Sequence, residues 1–172
     1  MSGQIPEAYL AYRSAIENAW YALHIAKDPA PAQRAEIWLR RGESDAATKA
    51  CKDEFKIGNV RSTHVQIDPY EGDHVKQVYE GTIDLGAHPN QLGLFSSFHS
   101  EETEGQVNYA IFILYPEERA LLGAIGFGAG VAVSVLRIFG HIYPERFTIM
   151  GFDSEVSKLL AEIQLVFASV TA

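Results

Sequence analysis

The chain is poor in cysteine and in positive charge, and it carries none of the compact catalytic signatures. Cys51 is its single cysteine among 172 residues, which excludes an intramolecular disulfide and a thiolate zinc cluster and fits a reducing compartment. Fourteen Lys and Arg stand against twenty-two Asp and Glu, and the formal charge of -8 opposes non-specific attraction to a polyanion. RNA binding is therefore not favoured and would need a local basic patch. There is no Gly-x-Ser-x-Gly elbow and no helix with paired zinc-binding histidines. The run Gly126-Phe127-Gly128-Ala129-Gly130 lacks the Lys-Ser or Lys-Thr that completes a phosphate loop, and small residues in a helix more simply admit a neighbouring helix.

Long apolar runs are scarce as well. Ala120 to Leu136 is uncharged over seventeen residues, the short end of what spans a bilayer, and it contains Gly123, Gly126, Gly128 and Gly130. A buried core helix is the expectation, with no membrane partner. Met1 to Glu7 shows neither a basic leader nor an apolar run, so the expected compartment is the cytoplasm.

What is present is an ordinary core-forming composition, 47% hydrophobic and 21% charged, with no linker-like tract. It reads as a single helical domain over residues 1–172, mainly α, with five or six helices in a bundle and one inserted β-hairpin at about 92–114. Pro6 to Lys27 forms the first helix, its apolar face being Tyr9, Tyr12, Ile16, Ala19, Trp20 and Leu23 at helical spacing. Asp28-Pro29-Ala30-Pro31 stops it. A short helix follows from Ala32 to Arg40. Ser44 or Asp45 then caps a third, running through Phe55 and Val60 to about His64. A fourth begins at Tyr70 and carries Val75, Val78, Tyr79 and Ile83 inward. Strand formers at Leu92 to Phe98 and Val107 to Leu114 flank the acidic turn Glu101 to Gly105. Pro116-Glu117-Glu118 starts a long helix to about Ile142, which Pro144 stops, and Asp153 to about Val170 is the last.

Polar groups cluster in two places. At 100° per residue, Arg13, Glu17 and His24 share one stripe of the first helix beside its apolar face. There an arginine fork can hold a carboxylate or phosphate, and a histidine titrates near neutrality. The fourth helix ends in Asp84-Leu85-Gly86-Ala87-His88-Pro89-Asn90, where Pro89 disfavours α conformation at His88 and Asp84 is placed to orient its imidazole. Arg13, Glu17, His24, Asp84, His88 and Asn90 are thus the expected ligand-binding set. Their commonplace alternatives are a surface ion pair and a helix stop whose polar side chains satisfy loose carbonyls. Catalytic candidates are His88 and, on one face of the long helix with Ser134, Arg137 and His141, although the helix dipole favours both cations at that end without any function. Arg61 and His64 are ambiguous in the same way. His64, Asp68, Asp73 and His74 follow no metal-ligand spacing, and neither a metal nor a cofactor is expected.

Tyr12-Arg13-Ser14-Ala15-Ile16-Glu17, with its following aromatics, and later Leu85-Gly86-Ala87-His88-Pro89-Asn90 resemble an uncharacterised bacterial all-helical family related to HEPN domains. The likeness spans roughly the first ninety residues. It implies a helical bundle, commonly a homodimer, and in many relatives a metal-independent ribonuclease of toxin-antitoxin or phage-defence systems. The family's signature is an arginine followed after four to six residues by a histidine. Here two residues separate Arg61 from His64 and three separate Arg137 from His141. The expectation is a binding module with a polar pocket for a small polar or anionic ligand or a protein partner, the ribonuclease being the alternative.

Overall fold

Helix α1 (Ile5–Ala26) is the element around which the others are arranged. The computed structural model describes residues 5–30, 32–87, 98–103, 105–111 and 118–171. Along α1 the residues Tyr9, Ile16, Ala19, Trp20, Leu23 and His24 are buried, the stripe that helical spacing selects, with His24 added to it. After α2 (Gln33–Leu39) comes α3 (Asp45–Glu54), whose N-cap Ser44 accepts the Ala47 N–H at 3.1 Å. Helix α4 (Ile57–Ile67) is joined to α5 (Pro69–Thr82) through Asp68, which caps α5 by accepting the Glu71 N–H at 2.9 Å. A π-helical turn, Ile83–Ala87, continues α5.

The remaining elements are β1 (Phe98–Thr103), β2 (Gln106–Ile111), α6 (Glu118–Ile142), α7 (Pro144–Met150) and α8 (Phe152–Thr171). The fold is mainly α with one antiparallel hairpin. Helix α1 packs against α4, α5 with its π-turn, and α6, so most of its circumference is covered.

Three details differ from expectation. The single third helix is divided into α3 and α4, because Lys56 is extended (φ -57°, ψ 138°) and the Asn59 amide donates to the Asp53 and Glu54 carbonyls, capping α3 from outside. The hairpin places Glu101, Glu102 and Thr103 in β1 rather than in the turn. Thr103 pairs with Gln106, so the turn is two residues long, with Gly105 at φ 76° as tight hairpins demand. The expected strand residues before Phe98 and after Ile111 lie outside the described residues. Finally, Pro144 does more than stop α6, since it opens the short α7, where proline suits the first turn.

Glycines of α6 and the π-turn admit α1 closely. A Cβ at Gly128 would collide with the Tyr12 ring, whose hydroxyl donates to the Ala124 carbonyl at 3.2 Å. A Cβ at Gly86 would sit 2.9 Å from Pro6 Cα, which fixes the π-turn against the start of α1. Helix α6 is long and apolar enough to cross a membrane by length and composition, and 33% of its most apolar window is buried within the chain. Between α6 and α8 an apolar cleft is lined by Leu122, Ile125, Ala129, Leu159 and Ile163.

Polar ties lock α1 to α5. Glu17 Oε1 accepts from Arg13 Nε at 2.9 Å and from the Tyr79 hydroxyl at 2.7 Å, and the Arg13 guanidinium lies 5.5 Å from the Tyr79 ring centre. Burial, then the Glu17 carboxylate, pushes the Tyr79 phenol up to about 12. A raised phenol contributes stability that is complete below its unfolded value near 10 and lost as pH rises toward 12. Tyr79→Phe should cost about 1–2 kcal/mol in urea unfolding at pH 7 and flatten the alkaline loss; an unchanged midpoint and an unchanged alkaline profile would show that this bond contributes nothing.

Candidate functional site

Spacing along α5 places Glu71, Val75 and Tyr79 on one face, and all three are buried. An acid at the head of an otherwise apolar stripe needs partners. Across from it, α4 turns Val60 and His64 inward. Helix α6 brings Arg137 and His141 to the same place, one helical turn apart. Glu71, Arg137 and His141 line a cleft of about 340 Å³, closed on its other sides by Gly140, Pro144, Phe147 and Thr148 of α6 and α7 and by Asp153, Val156 and Ser157 of α8. A cleft of this size is at the small end of pockets that take small molecules.

His64 is completely buried, and its Nδ1 accepts the Trp20 indole N–H at 3.1 Å. A neutral imidazole has one N–H and one lone pair, so this bond assigns the proton to Nε2. Burial, then the neighbouring His141, lowers the His64 pKa to about 4, against the opposing pull of Asp68. The ring is therefore neutral at physiological pH, with its Nε2–H fixed as a donor. Neither that Nε2 nor Glu71 Oε1 has a hydrogen-bond partner among the described residues. The other carboxylate oxygen, Oε2, lies 3.3 Å from His141 Nε2. Asp68 Oδ2 stands 4.0 Å from the same nitrogen. Burial pushes the Glu71 carboxyl up, while Arg137 and His141 oppose that shift. Side-chain atoms of His64, Glu71 and His141 lie within 4.8 Å of one another, and the two imidazole rings meet edge to face with centres 5.7 Å apart. A buried donor and a buried acceptor, neither partnered among the described residues, thus belong to one cluster of side chains.

The residues expected from the sequence fall in several places. Arg137 and His141 line this cleft. Arg13 and Glu17 lie on the seam between α1 and α5, engaged with Tyr79. His24 does not join them: eleven residues of helix separate it from Arg13, about 16 Å along the axis. Instead its Nε2 meets Glu54 Oε1 at 3.1 Å and its Nδ1 meets the Thr63 hydroxyl at 2.7 Å. Arg34 closes that network, donating to Glu54 Oε1 at 2.7 Å and to the His24 carbonyl at 2.9 Å. Burial, then Arg34, lowers the His24 pKa, and the Arg34 hydrogen bond holds the Glu54 carboxyl low. This is an internally satisfied network tying α1 to α2, α3 and α4. Asp84 is exposed on the π-turn, and His88 and Asn90 lie outside the described residues. Of the four residues without metal-ligand spacing, His64 and Asp68 lie beside the cleft residues Glu71 and His141, while Asp73 and His74 are exposed on α5.

Glu71 was the residue sequence reasoning passed over. Its signal was there: it sits four residues before Val75 and eight before Tyr79, on the face already read as apolar. No protein-family model, no curated protein and no solved structure matches this chain.

The tautomer has a direct readout. Long-range ¹H–¹⁵N spectra of imidazole-labelled protein should show His64 as the Nε2–H form, and neutral, at pH values well below 6. Because its folded pKa is depressed, the stability it contributes is complete above the unfolded value near 6.5 and lost as pH falls toward 4. An Nδ1–H signal, or a midpoint near 6.5, would contradict the assignment.

Proposed function

We propose that this chain is a HEPN-like helical binding module whose ligand site is the cleft between α5, α6, α7 and α8. The observation that carries the reading is that the His64 N–H and Glu71 Oε1, both buried, lack partners among the described residues, with Glu71 lining the same cleft as Arg137. Burying such groups without partners costs on the order of 1–3 kcal/mol each, and a fold that sustains them is supported by a compensating role. The lining is of mixed charge, with Arg137 on one side and Glu71 and Asp153 on the other. It fits a small polar molecule with an anionic end for Arg137 and a hydrogen-bond donor end for the carboxylates. Phe147 supplies an apolar wall. In this reading the bundle works in the cytoplasm, with α6 as a core helix packed on α1.

A thermal-shift screen of amino acids and nucleoside monophosphates tests it. The expected result is a compound whose stabilisation falls at least tenfold in apparent affinity in Arg137→Ala and is retained in Arg13→Ala. Equal responses in wild type and Arg137→Ala would remove the cleft from the proposal.

A second reading, metal-independent cleavage of RNA, is favoured by one observation: Arg137 and His141 open onto the same cleft, a cation to stabilise a phosphate and an imidazole to carry a proton. Purified protein in excess EDTA should then cut single-stranded RNA, and His141→Ala should abolish the cutting. Intact RNA with wild type eliminates this reading. The proposal includes a homodimer formed over the exposed apolar face of α6 and α8, where Leu165 and Val166 are 71% and 57% exposed. A monomeric mass by light scattering at micromolar concentration would remove that part.

A further inference from the structure

Asp68 and Glu71 at the head of α5 bring two carboxylates to the His141 imidazole at the end of α6, with Glu71 and His141 lining the cleft. His141 Nε2 is 3.3 Å from Glu71 Oε2 and 4.0 Å from Asp68 Oδ2. Donors on a tetrahedral zinc ion, with bonds of about 2.0–2.2 Å, are separated by roughly 3.4 Å. The two spacings from His141 bracket that edge. Asp68 is held in place through its other oxygen, Oδ1, which accepts the Glu71 N–H at 2.9 Å.

His64 belongs to the same cluster, with atoms within 4.8 Å of Glu71 and His141. It is excluded as a direct ligand. Metal binding through Nε2 would require the lone pair there and the proton on Nδ1, where the Trp20 N–H already donates. Its Nε2–H, completely buried and without a partner among the described residues, instead leaves the ring a donor within the cluster. Glu71, also more than nine-tenths buried, carries Oε1 as an acceptor without a partner among the described residues. A water or hydroxide bound to a cation satisfies both, taking the His64 N–H on its oxygen and giving a hydrogen to Glu71 Oε1.

We propose that Glu71 and His141, with Asp68 beside them, bind one divalent cation of the borderline class, Zn²⁺ or Co²⁺. His64 positions its coordinated water through the Nε2–H. One nitrogen and two carboxylate oxygens, with an open position for water, suit these ions. The donation from a fixed second group is the usual way a site orients what the metal holds. The cation site shares Glu71 and the His64 N–H with the proposed ligand cleft, but Arg137 is not among its donors, so Arg137→Ala should spare cation binding while it weakens the organic ligand.

Cobalt gives the test on the intact chain. EDTA-stripped protein titrated with Co²⁺ should bind one ion per chain with visible d–d absorption. Its ¹H spectrum should gain paramagnetically shifted imidazole N–H signals from His141, with a smaller shift at the His64 Nε2–H. Glu71→Gln and His141→Gln should each weaken binding more than tenfold, while the outward-facing His74→Ala should leave it unchanged. Wild type that binds no Co²⁺ or Zn²⁺ at 1:1 overturns the proposal, as does binding retained in both ligand variants or lost in His74→Ala. Should either ligand variant fail to fold, the wild-type shifts decide: shifts confined to His74 or to other surface histidines overturn it equally.

Discussion

The hydrogen bond from the Trp20 indole to His64 Nδ1 is the constraint on which the rest of the structure depends. Both side chains are completely buried, and the bond joins the central helix α1 to α4 at the depth of the core. It has two consequences at once. As packing, it lets α1 bury its largest aromatic without leaving the indole N–H unsatisfied, which a Trp at this depth requires. As chemistry, it decides which nitrogen of His64 bears the proton, and so makes the far edge of that ring a donor in its cluster with Glu71 and His141. Remove the indole donor, and the imidazole is free to choose the other tautomer.

Around that bond, α1 is held by polar ties of similar design, each made to a different neighbour. Tyr79 and Glu17 tie it to α5, His24 with Thr63 and Glu54 tie it to α3 and α4, and Tyr12 with the Ala124 carbonyl ties it to α6. Each places one hydrogen-bonding group at the margin of an apolar stripe, where it fixes register more than it adds net stability. The cleft differs from these ties. There two buried polar atoms, His64 Nε2 and Glu71 Oε1, lack partners among the described residues, which is what supports the proposed binding role. The acidic pair Asp68 and Glu71 also resists simple explanation as an ion pair with His141, because one oxygen of Glu71 has no partner among the described residues.

Much of the fold could be read from local chemistry. The stripe Tyr9, Ile16, Ala19, Trp20, Leu23 follows the helical period, Ser44 caps α3 and Asp68-Pro69 opens α5, and each is a short-range rule acting within one turn. The break between α3 and α4 was not legible, because no proline marks it, Gly58 falls inside α4 rather than at the break, and the cap arrives from Asn59 in the next helix. Hairpin register escaped for a related reason: a two-residue turn at Gly105 sets it, and that turn draws acidic residues of low strand propensity into β1. Of the candidate site, Arg137 and His141 were recognised on their helix face. The stripe of Arg13, Glu17 and His24 was recognised too, but sharing a face is not sharing a site over a separation of about 16 Å. Glu71 and His64 meet only through tertiary packing of α4, α5 and α6, and a spacing rule along one chain segment has no access to that. The burial of His24 belongs to the same class, since a neutral ring satisfied by Thr63 and Glu54 looks no different in sequence from one poised to titrate.

The claim that the cleft floor, not the seam between α1 and α5, is where this protein meets its ligand can be tested most directly by mapping. Backbone and arginine side-chain ¹⁵N shifts recorded during titration with inorganic phosphate should move at Arg137, His141, Thr148 and Ser157. Those of Arg13, Glu17 and Tyr79 should stay fixed. Shifts centred on Arg13 and Tyr79, with Arg137 and His141 unmoved, would contradict the account.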